Sequence, residues 1–217
     1  MTDMNVRMGR LKRQMTTIVD ITGNVITNPA VFFKSMPKGN GYTDPIIFMM
    51  VMGLVVGLIQ AILTIMGVGS RVPLSITFFS ILLTPIFVAM FGFVGAAILY
   101  LIWKPMGSEE SFETAYRCGA YATAITPITT VVSLIPYIGS LAGLAWMMYL
   151  LVLASVHVHH LSRKKSLIVF GALFALFAVF TISSQYAARN VSCPPDAWQE
   201  GTGITIEKTL PDASGTQ

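Results

Sequence analysis

The chain has 217 residues, 11% of them charged and 54% hydrophobic, and a formal net charge of +4. Soluble domains carry about a quarter charged residues, whereas here the apolar residues stand in long uncharged runs, which excludes a soluble globular domain. The basic residues flank those runs, so the positive charge points to lipid headgroups and topology, not to nucleic acid.

Residues 1–44 predict a cytoplasmic amphipathic lead. Met4, Met8, Leu11, Met15 and Ile18 recur at spacings of three and four, with Arg7, Arg10, Lys12 and Arg13 largely off that stripe. The pattern suits a helix in the headgroup layer or one packed on its own protein. Pro29 is placed to start a second short helix, which Val31, Phe32 and Phe33 would anchor at the interface. Lys38, Gly39, Asn40 and Gly41 predict a loop. No short apolar run with a small-residue cleavage site precedes Pro45, so no cleavable signal peptide is expected.

Five spans follow, at about 45–67, 74–103, 118–135, 140–161 and 166–187. Asp44 is the expected N-cap of the first, with Pro45 at its first helical position. Gly53 and Gly57 form a small-xxx-small pair for close helix packing, within the subunit or between copies. The second span is long enough to tilt and carries Pro85 as a kink, with Tyr100 and Trp103 marking the interface. Glu109, Glu110 and Glu113 stand near a helix start, where carboxylates meet the positive end of the dipole. Arg117 is placed at the membrane edge, free to snorkel. Pro127 interrupts the third span, and Thr123, Thr126, Thr129 and Thr130 can satisfy the carbonyl it frees. Pro136 opens a tight turn into the fourth span, where Gly139 and Gly143 form a second small-residue pair. Phe170, Phe174, Phe177 and Phe180 run along the fifth, facing lipid or packing. Residues 189–217 are expected to be a polar extracytoplasmic tail with at most a short strand at 204–206. Cys118 begins a span and Cys193 lies in that tail, so no disulfide is expected.

Orientation follows from Lys and Arg. With the N-terminus inside, eleven of them fall on the inner side and three on the outer. That asymmetry predicts a cytoplasmic N-terminus and an extracytoplasmic C-terminus.

Chemistry-bearing motifs are scarce. The spans hold no carboxylate, which weighs against a proton-coupled transporter. Hydrolase, metalloprotease and phosphate-loop motifs are missing too, and no catalytic residue or cofactor is assigned. His157, His159 and His160 are the exception: they suit the cytoplasmic end of the fourth span, at the negative end of its dipole. His157 and His160 would share a helical face that can bind a metal, but two ligands fall short of a site.

Five stretches carry a family resemblance. They are Asn28-Pro29-Ala30-Val31-Phe32-Phe33, Met106-Gly107-Ser108-Glu109-Glu110-Ser111-Phe112, Tyr121-Ala122 followed by Pro127, Ile135-Pro136-Tyr137-Ile138-Gly139, and Trp146. Their order and spacing resemble the Yip domain family, the Ypt/Rab-interacting membrane proteins and their bacterial relatives, over most of residues 25–188. The resemblance implies five helical spans, a cytoplasmic N-terminus, and no catalytic residues. Eukaryotic members bind small GTPases and shape vesicles, with a longer cytoplasmic lead. The short lead here weighs against a GTPase and points to a bacterial inner-membrane member. The expected protein is therefore all-α and polytopic: a bundle of five transmembrane helices at 45–188, with amphipathic helices before it. Its expected role is non-enzymatic, organising membrane or scaffolding other membrane proteins or copies of itself. The alternative is permeation of a small solute or ion along the kinked third span; a weaker third is metal or headgroup binding at the histidines and basic edge.

Overall fold

A computed structural model describes residues 2–39, 41–68 and 73–190. Among them every regular element is helical: α1 (Thr2–Thr27), α2 (Pro29–Ser35), α3 (Thr43–Ile65), α4 (Leu74–Met106), α5 (Phe112–Ala122), a 3-10 turn (Thr123–Ile125), α6 (Thr126–Val132), α7 (Ile138–His157) and α8 (Arg163–Asn190). Four of these are long and apolar enough to cross a membrane: α3, α4, α7 and α8. At 1.5 Å per residue α3 measures about 35 Å and α4 about 50 Å, against a hydrocarbon core of about 30 Å.

The stretch expected as a single third span is not one helix. Helical structure starts earlier, at Phe112, breaks at Thr123–Ile125 and resumes as α6 up to Val132. Pro127 is the reason: it has no N–H to give the Thr123 carbonyl four residues back. That carbonyl instead accepts the Thr126 backbone N–H and, at 2.7 Å, the Thr126 hydroxyl. Thr130 donates to the Thr126 carbonyl at 2.7 Å.

Packing follows the small residues. A Cβ on Gly53 would lie 2.9 Å from the Cα of Pro85, so α3 and α4 meet nearly backbone to backbone there. Gly57 faces the Cα of Ile81 at 3.4 Å. Gly139 lies against the Val132 carbonyl and Gly143 against Thr129, which closes α6 onto α7. The turn between them is tight: Tyr137 takes φ 61° and ψ −61°, and Ile138 N donates to the Pro136 carbonyl at 2.6 Å. This is a positive-φ γ-turn, a strained conformation for a non-glycine residue.

The lead is packed on its own protein from its middle onward. Val25 is fully buried, and Ile18, Ile21 and Ile26 lie against the core, while Met15 and Val19 are exposed. The side chains of Met4, Met8, Leu11 and the basic cluster at 7–13 lie outside the described residues, as do the 204–206 strand and Cys193. Phe33 is no interfacial anchor: it is buried in the core, with Phe32 edge-on to Tyr121. The phenylalanine row of α8 divides as the helix turns, Phe170 packing in the core and Phe177 and Phe180 facing out.

Chain segments alternate between two ends of the bundle. At one end the 36–42 loop, the 107–111 connection and the 158–162 connection are joined by Lys38–Glu110, Lys38–His160 and Ser108–His159 contacts. At the other, Tyr137 N donates to Gln185 Oε1 at 3.0 Å, tying the α6–α7 turn to the far part of α8.

Candidate functional site

The polar end is assembled from residues far apart in sequence. Gly107 closes α4 with φ 104°, its N–H on Lys104 and that of Ser108 on Trp103. Glycine is suited to this left-handed closing position. The closure delivers Ser108 to the α7–α8 connection, where its hydroxyl and His159 Nδ1 share a 2.6 Å hydrogen bond. The imidazole stacks on Trp103 with centroids 3.9 Å apart, and its Nε2 lies 3.9 Å from the Cys118 sulfur. Trp103 Nε1 donates to Ser155 Oγ at 2.7 Å, and Ser155 in turn to the Leu151 carbonyl. Trp103 is 1% exposed, so it is a core residue and not the interfacial marker its sequence position suggested. Burial pushes the His159 imidazole down to about 4, so at neutral pH the ring is uncharged.

A serine, a histidine and a cysteine in line resemble an acid–base relay. Ser108, His159 and Cys118 are 5%, 4% and 0% exposed, however, and a relay must be reached by its substrate. Their arrangement holds α4, α5 and the α7–α8 connection together. Of the expected metal candidates, His157 ends α7 and His160 lies beyond the helix at φ 53°, so they share no helical face. His160 meets Lys38 Nζ at 3.1 Å. Among the described residues no group of three or more His, Cys, Asp or Glu is placed to hold a metal ion.

Beside this cluster, α5 grips the 36–42 loop. Ser111 caps α5 by accepting the Thr114 N–H at 3.2 Å. Glu110, Glu113, Thr114 and Arg117 then recur at helical spacing along one face. Glu110 pairs with Lys38 at 2.7 Å, and Glu113 Oε1 accepts the Gly41 N–H at 2.8 Å. Thr114 donates to the Lys38 carbonyl at 3.1 Å and Arg117 Nη2 to the Gly41 carbonyl at 2.9 Å. Arg117 is 1% exposed and does not snorkel; the loop, supplying carbonyl acceptors, replaces the headgroups it was expected to reach. Its Nε stands 3.6 Å from Glu113 Oε1 and has no hydrogen-bond partner.

Beside the grip lies an open recess of about 490 Å³, between α1, α2, α3, α5 and Pro37 of the gripped loop. Ile18, Ile21, Phe32, Ile47 and Phe48 form apolar walls, Tyr121 part of the inner surface, and Arg117 and Asp44 the charged groups. A second recess, of about 410 Å³, opens at the opposite end, where Gln60, Thr64, Thr77, Ser80, Thr130 and Ser133 bring hydroxyls and an amide together.

The Yip1 domain model matches residues 23–184. The chain belongs to the Yip1 domain family. Neither the curated proteins nor the solved structures give a match. The matched stretch takes in the second recess, the loop grip and the buried Trp103–His159 pair, and the first recess apart from the part lined by Thr17, Ile18 and Ile21 of α1. It also includes α3, α4, α7 and nearly all of α8, so the chain is a multi-pass membrane protein. Trp146, one of the residues behind the resemblance, packs partly buried against the core beside Met147.

Loop–helix recognition escapes a reading of the sequence because its partners are more than seventy residues apart. The signal that was available is the polar stripe at 110, 113, 114 and 117, continuing from an N-cap serine into a run of small apolar residues. A polar stripe on a helix bound for burial demands partners.

Proposed function

We propose that this Yip1-domain protein is a non-enzymatic organiser of the membrane, scaffolding partner proteins or further copies of itself in a bacterial inner membrane. The observation that carries the reading is the outer surface of α4 and α8. Only 11% of the residues in their most apolar windows are buried, against 33% in α3 and 28% in α7. Phe79, Leu82, Phe91 and Leu101 on α4, with Ile168 and Phe180 on α8, stand more than half exposed. Such faces meet lipid or a neighbouring helix. Ser108, His159 and Cys118 are buried against one another at one end.

The topology we assign has five crossings, α5, the 3-10 turn and α6 together making the third. The alternation of chain segments between the two ends supports it, since α4 finishes at the polar end and α7 starts at the other. About 31 Å of helical chain lies between Phe112 and Val132. The charge asymmetry supports an orientation with the polar end and N-terminus in the cytoplasm and the C-terminus outside.

Photo-crosslinking residues at Phe79, Leu101, Ile168 and Phe180 test the scaffold. Discrete protein adducts at a subset of these positions are expected in cells, while adducts to lipid alone at all four would overturn it.

A second reading, permeation of a small solute or ion, draws support from the hydroxyl-lined recess beside α6. There Thr130 and Ser133, just past the Pro127 break, face Thr77 and Ser80. Flux through proteoliposomes, altered in Pro127→Ala at equal incorporation, would promote it over the scaffold.

A further inference from the structure

The recess beside Arg117 is lined by core and grip residues, and it also carries binding capacity that the fold leaves over. It lies at the first turns of α3, with Asp44, Ile47 and Phe48 in its wall. Those residues begin the first long apolar helix, so the recess sits at the boundary between headgroups and hydrocarbon. At about 490 Å³ it falls within the range of small-molecule sites, about 300–1,000 Å³. Two groups in its lining have binding capacity left over. Arg117 is 99% buried, with Nη2 on the Gly41 carbonyl and Nε 3.6 Å from Glu113 Oε1, yet that Nε has no hydrogen-bond partner. A buried donor left in that state invites an acceptor. Among the described residues Asp44 makes no ion pair, and its carboxylate stands exposed at the recess.

We propose that the recess holds one glycerophospholipid with a primary ammonium headgroup, drawn from the surrounding bilayer. Its phosphate sits on Arg117, its ammonium on Asp44, and the upper part of an acyl chain lies along Ile18, Ile21, Phe32 and Phe48. A guanidinium is the side chain best matched to phosphate oxygens. A carboxylate pairs with an ammonium that carries N–H donors and discriminates against a quaternary one, which has none. An anionic lipid without an ammonium would leave Asp44 facing a second negative charge. The apolar wall belongs to the same ligand, because soluble phosphates have nothing to place there. A bound lipid would then bridge α1, α2, α3 and α5, stapling the lead to the bundle at the level of the cytoplasmic leaflet. The inference rests on the recess alone and stands whether the protein scaffolds or conducts.

The experiment is lipid retention. The full-length protein is exchanged into nanodiscs of equimolar dioleoyl-phosphatidylethanolamine, -phosphatidylcholine and -phosphatidylglycerol. It is then extracted into mild detergent, and the retained lipid is counted by native mass spectrometry. The ethanolamine lipid is expected to be enriched about tenfold over the choline lipid, the factor typical of one charge-assisted hydrogen bond. Asp44→Asn, at an exposed position, should abolish that preference while lipid is still retained. Ile47→Trp, which fills the recess, should remove retention of all three. Lys38→Ala, on the gripped loop but outside the recess, should leave the enrichment intact. Soluble glycerophosphoethanolamine should not displace the lipid. Equal retention of the three lipids, dominance of phosphatidylglycerol, an unchanged preference in Asp44→Asn, or displacement by the soluble headgroup would each overturn the assignment.

Discussion

The imidazole of His159 lies flat against the indole of Trp103, centroids 3.9 Å apart and planes 28° from parallel. Both rings are buried, and each is anchored by a serine, Ser108 for the imidazole and Ser155 for the indole. A neutral imidazole suits this environment, because charging it would place a cation in a dry core.

That environment gives stability a definite pH dependence. The folded imidazole titrates at about 4, against an ordinary value near 6.5. Between those values the unfolded chain binds more protons than the folded one, so stability falls as pH falls. The full contribution is present above about pH 6.5 and is lost progressively towards pH 4, up to about 3 kcal/mol. Melting in detergent from pH 8 to pH 5 should show the decline in the parent and a flatter curve in His159→Gln. Parallel curves would place the titrating group elsewhere.

The glycines rank in order of the space around them. Gly53→Ala is expected to cost about 1–3 kcal/mol, since the added methyl meets the Pro85 backbone. At Gly57 the neighbours leave more room, and alanine's better helix propensity offsets the contact, so Gly57→Ala should be within about 1 kcal/mol of the parent. Gly139→Ala should be the most damaging, because the methyl would run into the Val132 carbonyl. Thermal unfolding of the three variants in one detergent checks the order, and a Gly57 variant less stable than the other two would refute it.

Removing the buried end of the loop grip should matter more than removing its wet end. Arg117→Met deprives the Gly41 carbonyl of a charged donor and should cost about 2–3 kcal/mol. Lys38→Ala breaks a pair whose side chains are 43% and 21% exposed, and should cost under about 1 kcal/mol. Unfolding midpoints of both variants provide the comparison, and a larger loss from Lys38→Ala would contradict the grip described here.

The five crossings we propose would put the two termini on opposite sides. Alkaline phosphatase fused after Gln217 should be active in cells, and a fluorescent protein at the same place should stay dark. An inactive phosphatase with a bright fluorescent fusion would leave an even number of crossings and remove α5–α6 from the membrane.

Long uncharged runs, their flanking lysines and arginines, and the order of short proline and glycine motifs were all legible along the chain. They determined by themselves that this is an all-α membrane protein, and they pointed to its family. These are properties of contiguous residues: a bilayer sorts segments by summed hydropathy and by charge at their ends, before any segment meets another. Only the tertiary structure decided which polar residues are buried and with whom. Arg117 and Trp103 look interfacial in sequence because each stands at the end of an apolar run; both are core residues because the 36–42 loop and Ser155 bring them acceptors. His157 and His160 look like a pair only if the helix continues, and it stops at His157. The residue that matters is His159, which the turn beyond the helix swings onto Trp103 and Ser108. Burial of a polar group depends on a partner arriving from elsewhere in the chain, and spacing along a single segment carries no record of that arrival.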